Sequence, residues 1–283
     1  MPQAAFSRAR KPQAAIGTMG PCWCLVSAVL LALEPPSGAP SSPDNTGDVA
    51  EEPVGGAGVS PIEIIPKIEV RESYVRLDSG APVHDTVAEI DIQFLRRLLL
   101  RYEVPYQIVG TPSGQVSGIG DIQLTALGIL MSTSDRVVAV ILGVVLDTAT
   151  QPPLGSGKQQ IVFGAGGGIK PRPFWIAYGV LQEQISVAGS SARPDVNQLQ
   201  AQLGSILFGK QYNWIRLELD PLVDFSKAEG QLFGTLEVGS LLIGRVGLFV
   251  RAGTQLLGQR QIDYSLIGGI RYLFRLEKGR PQP

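Results

Sequence analysis

The chain has 283 residues, with 24 basic against 25 acidic side chains, one His and two Cys. Hydrophobic residues make up 44% and charged residues 17%, which excludes a chain disordered throughout. Two cysteines exclude a disulfide scaffold, and one histidine excludes most His-based metal sites. A net charge of −1 offers no basic surface for nucleic acid.

Residues 1–39 read as an export signal. Arg8, Arg10 and Lys11 supply a positive start, and Trp23 to Leu33 form an apolar stretch shorter than a membrane span. Ser37-Gly38-Ala39 offers a cleavage region, and an amino-terminal anchor helix is the alternative. Cys22 and Cys24 both fall in this segment, so the mature chain carries no thiol. Residues 40–60 are rich in Pro, Gly and Ser and read as a flexible linker, with a lumen plug as the lesser reading.

Mean hydropathy is positive, +0.16. Beyond position 40, however, no apolar run approaches the roughly 20 residues of a spanning helix. Alternation reconciles the two. From residue 61 the apolar pattern has period 2, the mark of strands with one face in an oily phase. Ile90, Ile92 and Phe94 alternate with Glu89, Asp91 and Gln93; Ile215, Leu217 and Leu219 alternate with Arg216, Glu218 and Asp220.

The pattern predicts twelve strands, over 62–77, 84–94, 98–108, 121–131, 136–147, 159–169, 174–187, 197–208, 213–224, 231–242, 245–256 and 262–274. Short and long connections alternate between them, as in an outer-membrane barrel with turns on one rim and loops on the other. The fold class is therefore all-β, a transmembrane antiparallel up-and-down barrel over 61–274, followed by a tail over 275–283. An exported soluble β-sandwich is the alternative. Closure follows because backbone N–H and C=O groups find no water in hydrocarbon. Twelve strands fall between barrels filled by side chains and barrels with an aqueous channel.

Trp175, Tyr212, Trp214, Tyr272 and Phe274 fall at strand ends beside the short turns, as a membrane-interface aromatic belt would. Tyr74, Tyr102, Tyr106 and Tyr264 fall toward the long loops. The candidate lumen lining is Glu89, Asp91, Arg101, Glu103, Arg216, Glu218, Asp220, Arg251, Asp263 and Arg271. Its mixed signs select neither anions nor cations, and an ion-pair network that fills the barrel is the competing reading. Apolar positions expected to face inward are Leu127, Ile129, Leu181, Phe233, Phe249 and Ile267; they suit a hydrophobic or aromatic solute, or ordinary packing.

Gly164, Gly166 and Gly168 share one strand face and make room for bulky neighbours or mark a bend. Pro221 implies a bulge or an early strand end. His84 is the one histidine base available to a hydrolase, with Ser73 and Ser79 near in sequence, and it reads as a solvated loop residue. No catalytic, metal or cofactor site is expected.

Tyr102-Glu103-Val104-Pro105-Tyr106, followed by Ser117-Gly118-Ile119-Gly120-Asp121-Ile122-Gln123-Leu124, resembles the core of a bacterial outer-membrane family. It is the family named after the meta-pathway of phenol degradation. Leu154-Gly155-Ser156-Gly157 is similar to a further element of that family, whereas Leu146-Asp147-Thr148-Ala149-Thr150 departs from its usual leucine-proline-threonine-glycine. The resemblance spans 61–274 and implies a Gram-negative outer-membrane barrel of transporter type with no defined substrate. Tyr272-Leu273-Phe274 is similar to the aromatic end read by barrel-assembly machinery. The expected partners are thus outer-membrane lipid, that machinery and a small solute, with no nucleic acid. The expected role is a channel for passive or facilitated passage of small, hydrophobic or aromatic molecules. A non-transporting barrel with a structural or surface-interaction role is the alternative.

Overall fold

A computed structural model describes residues 58–78, 80, 82–111, 114–209, 213–242 and 245–274. The export signal, residues 40–57 of the linker, the tail 275–283, Ser79 and Tyr212 lie outside the described residues.

The strands are β1 (Lys67–Leu77), β2 (Pro82–Leu95), β3 (Leu98–Thr111), β4 (Gly114–Ile119), β5 (Ile122–Ser132), β6 (Arg136–Leu146), β7 (Lys158–Arg172), β8 (Trp175–Gly189), β9 (Asn197–Phe208), β10 (Asn213–Asp224), β11 (Glu229–Leu241), β12 (Val246–Leu257) and β13 (Ile262–Leu273). Each pairs antiparallel with its sequence neighbour, and β1 pairs with β13 to close the ring. β4 and β5 both pair with β3 and act as one wall strand interrupted at Gly120-Asp121. The result is a closed twelve-stranded barrel. Closure removes the unpaired sheet edge that hydrocarbon cannot solvate.

The alternation is inverted relative to a soluble protein. Ile92, Leu142, Leu203, Leu217, Val250 and Leu266 are 50–62% exposed on the outer face. Their chain neighbours Asp91, Glu218 and Gln202 are at most 5% exposed on the inner face. Tyr272 and Phe274 meet edge to face at 5.3 Å on the outer surface at the short-turn end, and at the same end of β8 Trp175 Nε1 donates to Ser205 Oγ at 2.8 Å. At the long-loop end, Tyr74 lies 6.0 Å from Tyr264. Two belts of amphipathic rings thus bracket an apolar band, as at two lipid–water interfaces.

Three expectations change. The first strand was expected from residue 62 but begins at Lys67, because the β13 ladder ends at the pair Lys67–Leu273 and offers nothing earlier to pair with. The loop expected over 109–120 is mostly a hairpin extension, β3 continuing to Thr111 and returning as β4. Pro221 neither ends β10 nor makes a bulge. The ladder to β9 skips Asp220 and Pro221 and resumes in the same register, while the ladder to β11 is unbroken.

Candidate functional site: a partitioned lumen

On β1, exposed Ile68 and Val70 alternate with buried Lys67, Glu69 and Arg71. The same parity turns Glu89, Asp91, Arg101, Glu103, Arg216, Glu218, Glu237, Arg251 and Arg271 inward. Together they form one continuous ion-pair network. Lys67 Nζ lies 3.1 Å from Glu69 and 2.7 Å from Glu89. Arg71 reaches Glu69 at 3.2 Å, Glu89 at 2.5 Å and Glu103 at 2.6 Å. Arg101 holds Asp91 at 2.6 Å and Glu89 at 3.2 Å. Arg271 bridges Glu69, at 3.1 Å, to Glu237, at 3.8 Å. Glu237 then takes Arg216 at 2.8 Å and Arg251 at 2.7 Å, and Arg216 holds Glu218 at 2.7 Å. Six cations meet six carboxylates, which is how charges persist where little water remains.

Beneath this belt, on the short-turn side, the lumen is apolar. Leu99, Leu127, Ala139, Ile141, Tyr178, Val180, Ile206, Trp214 and Phe249 pack there with Val59 and Ile62. Bulky inward rings lie over glycines on the neighbouring strand: Tyr178 over its register partner Gly204, Trp214 over Gly239, and Phe249 over Gly269. A side chain at any of those glycines would collide with the ring. The Arg271 guanidinium carbon lies 4.5 Å from the Phe249 ring centre and 5.3 Å from that of Trp214, which couples the apolar layer to the belt.

The segment 58–66 enters this layer from the short-turn rim. Val59, Ser60 and Ile62 are 2, 6 and 3% exposed. A Cβ at Gly168 would stand 2.6 Å from Ile62 Cδ1, and one at Gly166 3.2 Å from Ile62 Cγ2. The glycine face of β7 therefore receives Ile62. On the opposite wall, Arg216 Nη1 donates to the Val59 carbonyl at 2.9 Å and Arg271 Nη1 to the Gly58 carbonyl at 2.8 Å. Val59 and Ser60, at the end of the expected linker, are buried in the barrel interior. Two cavities flank the segment: one of about 520 Å³ at the short-turn rim, lined by Ile62, Glu63, Ile64, Arg96, Arg97 and Arg136 among others, and one of about 190 Å³ on the long-loop side.

The long-loop mouth is narrowed by residues 147–157. Asp121 accepts from Ser156 N at 2.7 Å, Ser156 Oγ at 2.8 Å and Ala149 N at 3.3 Å. Thr150 N donates to the Ile119 carbonyl at 2.9 Å, and fully buried Leu154 packs over Gly118 and Gly120 on the inner face. The two short sequence elements that carry the family resemblance are thus each other's partners: the aspartate of one caps the loop formed by the other.

Of the ten lumen candidates, eight join the network. Asp220, one inward position beyond Glu218, is 6% exposed and joins none of it. Asp263 stands at the long-loop rim and pairs with Arg260 at 2.5 Å. Lys67, Glu69, Arg71 and the hub Glu237 were missed, although Ile68-Glu69-Val70 and Leu236-Glu237-Val238 carry the same alternation. Trp214 is not an interface aromatic. It is 1% exposed and its Nε1 donates to Glu237 Oε1 at 2.8 Å. Its parity with Arg216 and Glu218 turns it inward despite its place at a strand end. Leu181 faces outward, between inward Val180 and Gln182. His84 pairs across strands with Tyr74 on the outer face, whereas Ser73 lines the inner cavity, so the two share no site. Among the described residues no group of three His, Cys, Asp or Glu side chains is placed to hold a metal ion.

No family model and no curated protein matches the chain. Solved structures do match. An outer membrane channel from Pseudomonas putida F1 superposes with a TM-score of 0.61 at 12% identity, over 77% of this chain and 98% of that one. The architecture is an outer-membrane barrel. The NanC porin matches with a TM-score of 0.57 at 7% identity, over 74% of this chain and 100% of its own. The KdgM porin in complex with disordered oligogalacturonate matches with a TM-score of 0.52 at 11% identity, over 74% and 99%.

Proposed function

We propose that the protein is a passive or facilitated outer-membrane channel for small molecules with an apolar or aromatic body. The observation that carries this reading is a closed barrel that turns its ion-pair network inward behind an apolar outer face. Cavities open on both sides of a short segment, and no covalent wall separates them. Phe233, Ile262 and Ile267 on the long-loop side, and Ile64, Ile129 and Ile176 on the short-turn side, give an apolar solute surfaces to touch. The short elements around Asp121 and Ser156 support placing the chain beside the meta-pathway family, whose members are of transporter type. Outer-membrane lipid on the outer face and the assembly machinery at Tyr272-Leu273-Phe274 are the partners this reading brings with it. It assigns the protein no catalysis.

Planar-bilayer recording and uptake by liposomes test the proposal. Purified protein should give discrete conductance steps and admit small aromatic solutes faster than sugars of equal size. Absence of both rejects a channel. The ionic belt and segment 58–62 together fill the middle of the lumen, which favours a second reading, a barrel that does not transport. Its signature is zero flux even when Ile62 is shortened to Ala.

A further inference from the structure

We infer that the cavity on the long-loop side of the belt binds a small organic ammonium, an apolar body carrying one protonated amine, with Asp220 as its anchor. This deepens the channel reading by naming the solute class.

Every cation of the belt is ion-paired, and the six carboxylates that pair with them leave Asp220 over. Arg216, two positions away on the same face, is its nearest candidate partner, but its donors go to Glu218, Glu237 and the Val59 carbonyl. Among the described residues no hydrogen bond or ion pair reaches Asp220, and its Oδ1 is enclosed without a donor. A buried carboxylate left alone is costly, and a charge-assisted N–H from a ligand removes that cost.

The cavity supplies the rest of the recognition. It measures about 190 Å³, larger than the roughly 150 Å³ apolar cavity that accepts benzene. Phe233 is the cross-strand register partner of Asp220, and it lines the cavity with Val75, Val87, Ile262 and Ile267. An aromatic or alkyl body lies against these while the amine turns to Asp220. Asp85 Oδ1, also without a donor, and the hydroxyls of Ser73, Thr235 and Ser265 line the same space and can accept the remaining ammonium protons. A carboxylate solute, by contrast, meets arginines that already hold their partners. It also faces repulsion from Asp220 and Asp85.

Calorimetric titration of the detergent-solubilised full chain at pH 7 tests the inference, with benzylammonium as probe and benzoate and benzyl alcohol as controls. Benzylammonium should bind saturably, at least ten-fold tighter than either control. Asp220→Asn should weaken it at least ten-fold, whereas Asp263→Asn at the rim should leave it unchanged. Phe233→Ala should weaken benzylammonium more than methylammonium. Asp220→Asn should also unfold at no lower denaturant concentration than the native barrel, because Asp220 holds no partner that the change would remove. Equal binding by Asp220→Asn, benzoate binding as tightly as benzylammonium, or no saturable binding would each overturn it. Because binding is read without a membrane, binding without flux rejects the channel and keeps the site. Flux without binding does the reverse.

Discussion

The wall built by β1–β3 and β10–β13 and the wall built by β5–β9 face one lumen with opposite chemistry. The first carries the whole ionic belt. Among the described residues, the inner face of the second carries charge at its ends, Lys158 at the long-loop end against Asp195 and Lys170 in the lining of the short-turn cavity. It is made of Leu127, Ala139, Ile141, Val162, Val180 and Ile206, with Gly166 and Gly168 between bulkier neighbours. One wall is specified by partners, the other by shape. Segment 58–62 engages both in the manner each allows, offering backbone carbonyls to Arg216 and Arg271 and the Ile62 side chain to the glycines. A plug held this way has no ion pair of its own to break, so modest changes on either wall should move it.

The largest expected effect falls on the charged wall. Glu237→Ala leaves Arg216 and Arg251 short of a carboxylate and removes the acceptor for Trp214 Nε1. Breaking a buried pair from one side costs about 3–5 kcal/mol. The shape-specified wall should respond less, with Ile206→Val costing about 0.5–1.5 kcal/mol. Guanidinium unfolding in detergent, followed by tryptophan fluorescence, measures both. Equal losses would erase the distinction between the walls.

Gly168→Val tests the wall specified by shape. Its new side chain would occupy the place of Ile62 Cδ1, and overpacking of this kind costs about 1–3 kcal/mol. The barrel has an alternative to strain, which is to release the segment. A cysteine introduced as Ser60→Cys should therefore react with a maleimide about ten-fold faster in the Gly168→Val background. Conductance should rise with it, and adding Ile62→Ala should reverse both changes.

Most of both walls was legible from period 2 alone. β9 and β10 run over the residues the alternation predicts, because lipid outside and charge inside leave each residue one choice of face. Glu237, Glu69 and Trp214 obey the same parity, and for Trp214 that parity outweighs its place at a strand end. Segment 62–66 misled for a physical reason: Ile62-Glu63-Ile64 alternates like a strand, and only the lack of a β13 partner beyond Leu273 tells otherwise. The surplus of Asp220 was not legible at all, since it depends on which carboxylate each arginine reaches in space.

The smallest expected effect is one of pH, and it sits where the segment leaves the lumen. Burial pushes the Glu63 carboxyl from 4.5 to about 7, against the opposing pull of the Ser60 amide, Arg271 and Lys67. The docked carboxyl holds its proton up to about pH 7, whereas a released one gives it up near 4.5. Docking is therefore undiminished below about pH 4.5, weakens as the pH climbs toward 7, and changes no further above that. A nitroxide spin label at Ser60→Cys should be immobile at pH 4 and more mobile by pH 8, with the midpoint between those limits. Glu63→Gln cannot ionise, so its label should stay immobile throughout. A Glu63→Gln profile that still rises with pH would reject Glu63 as the titrating group.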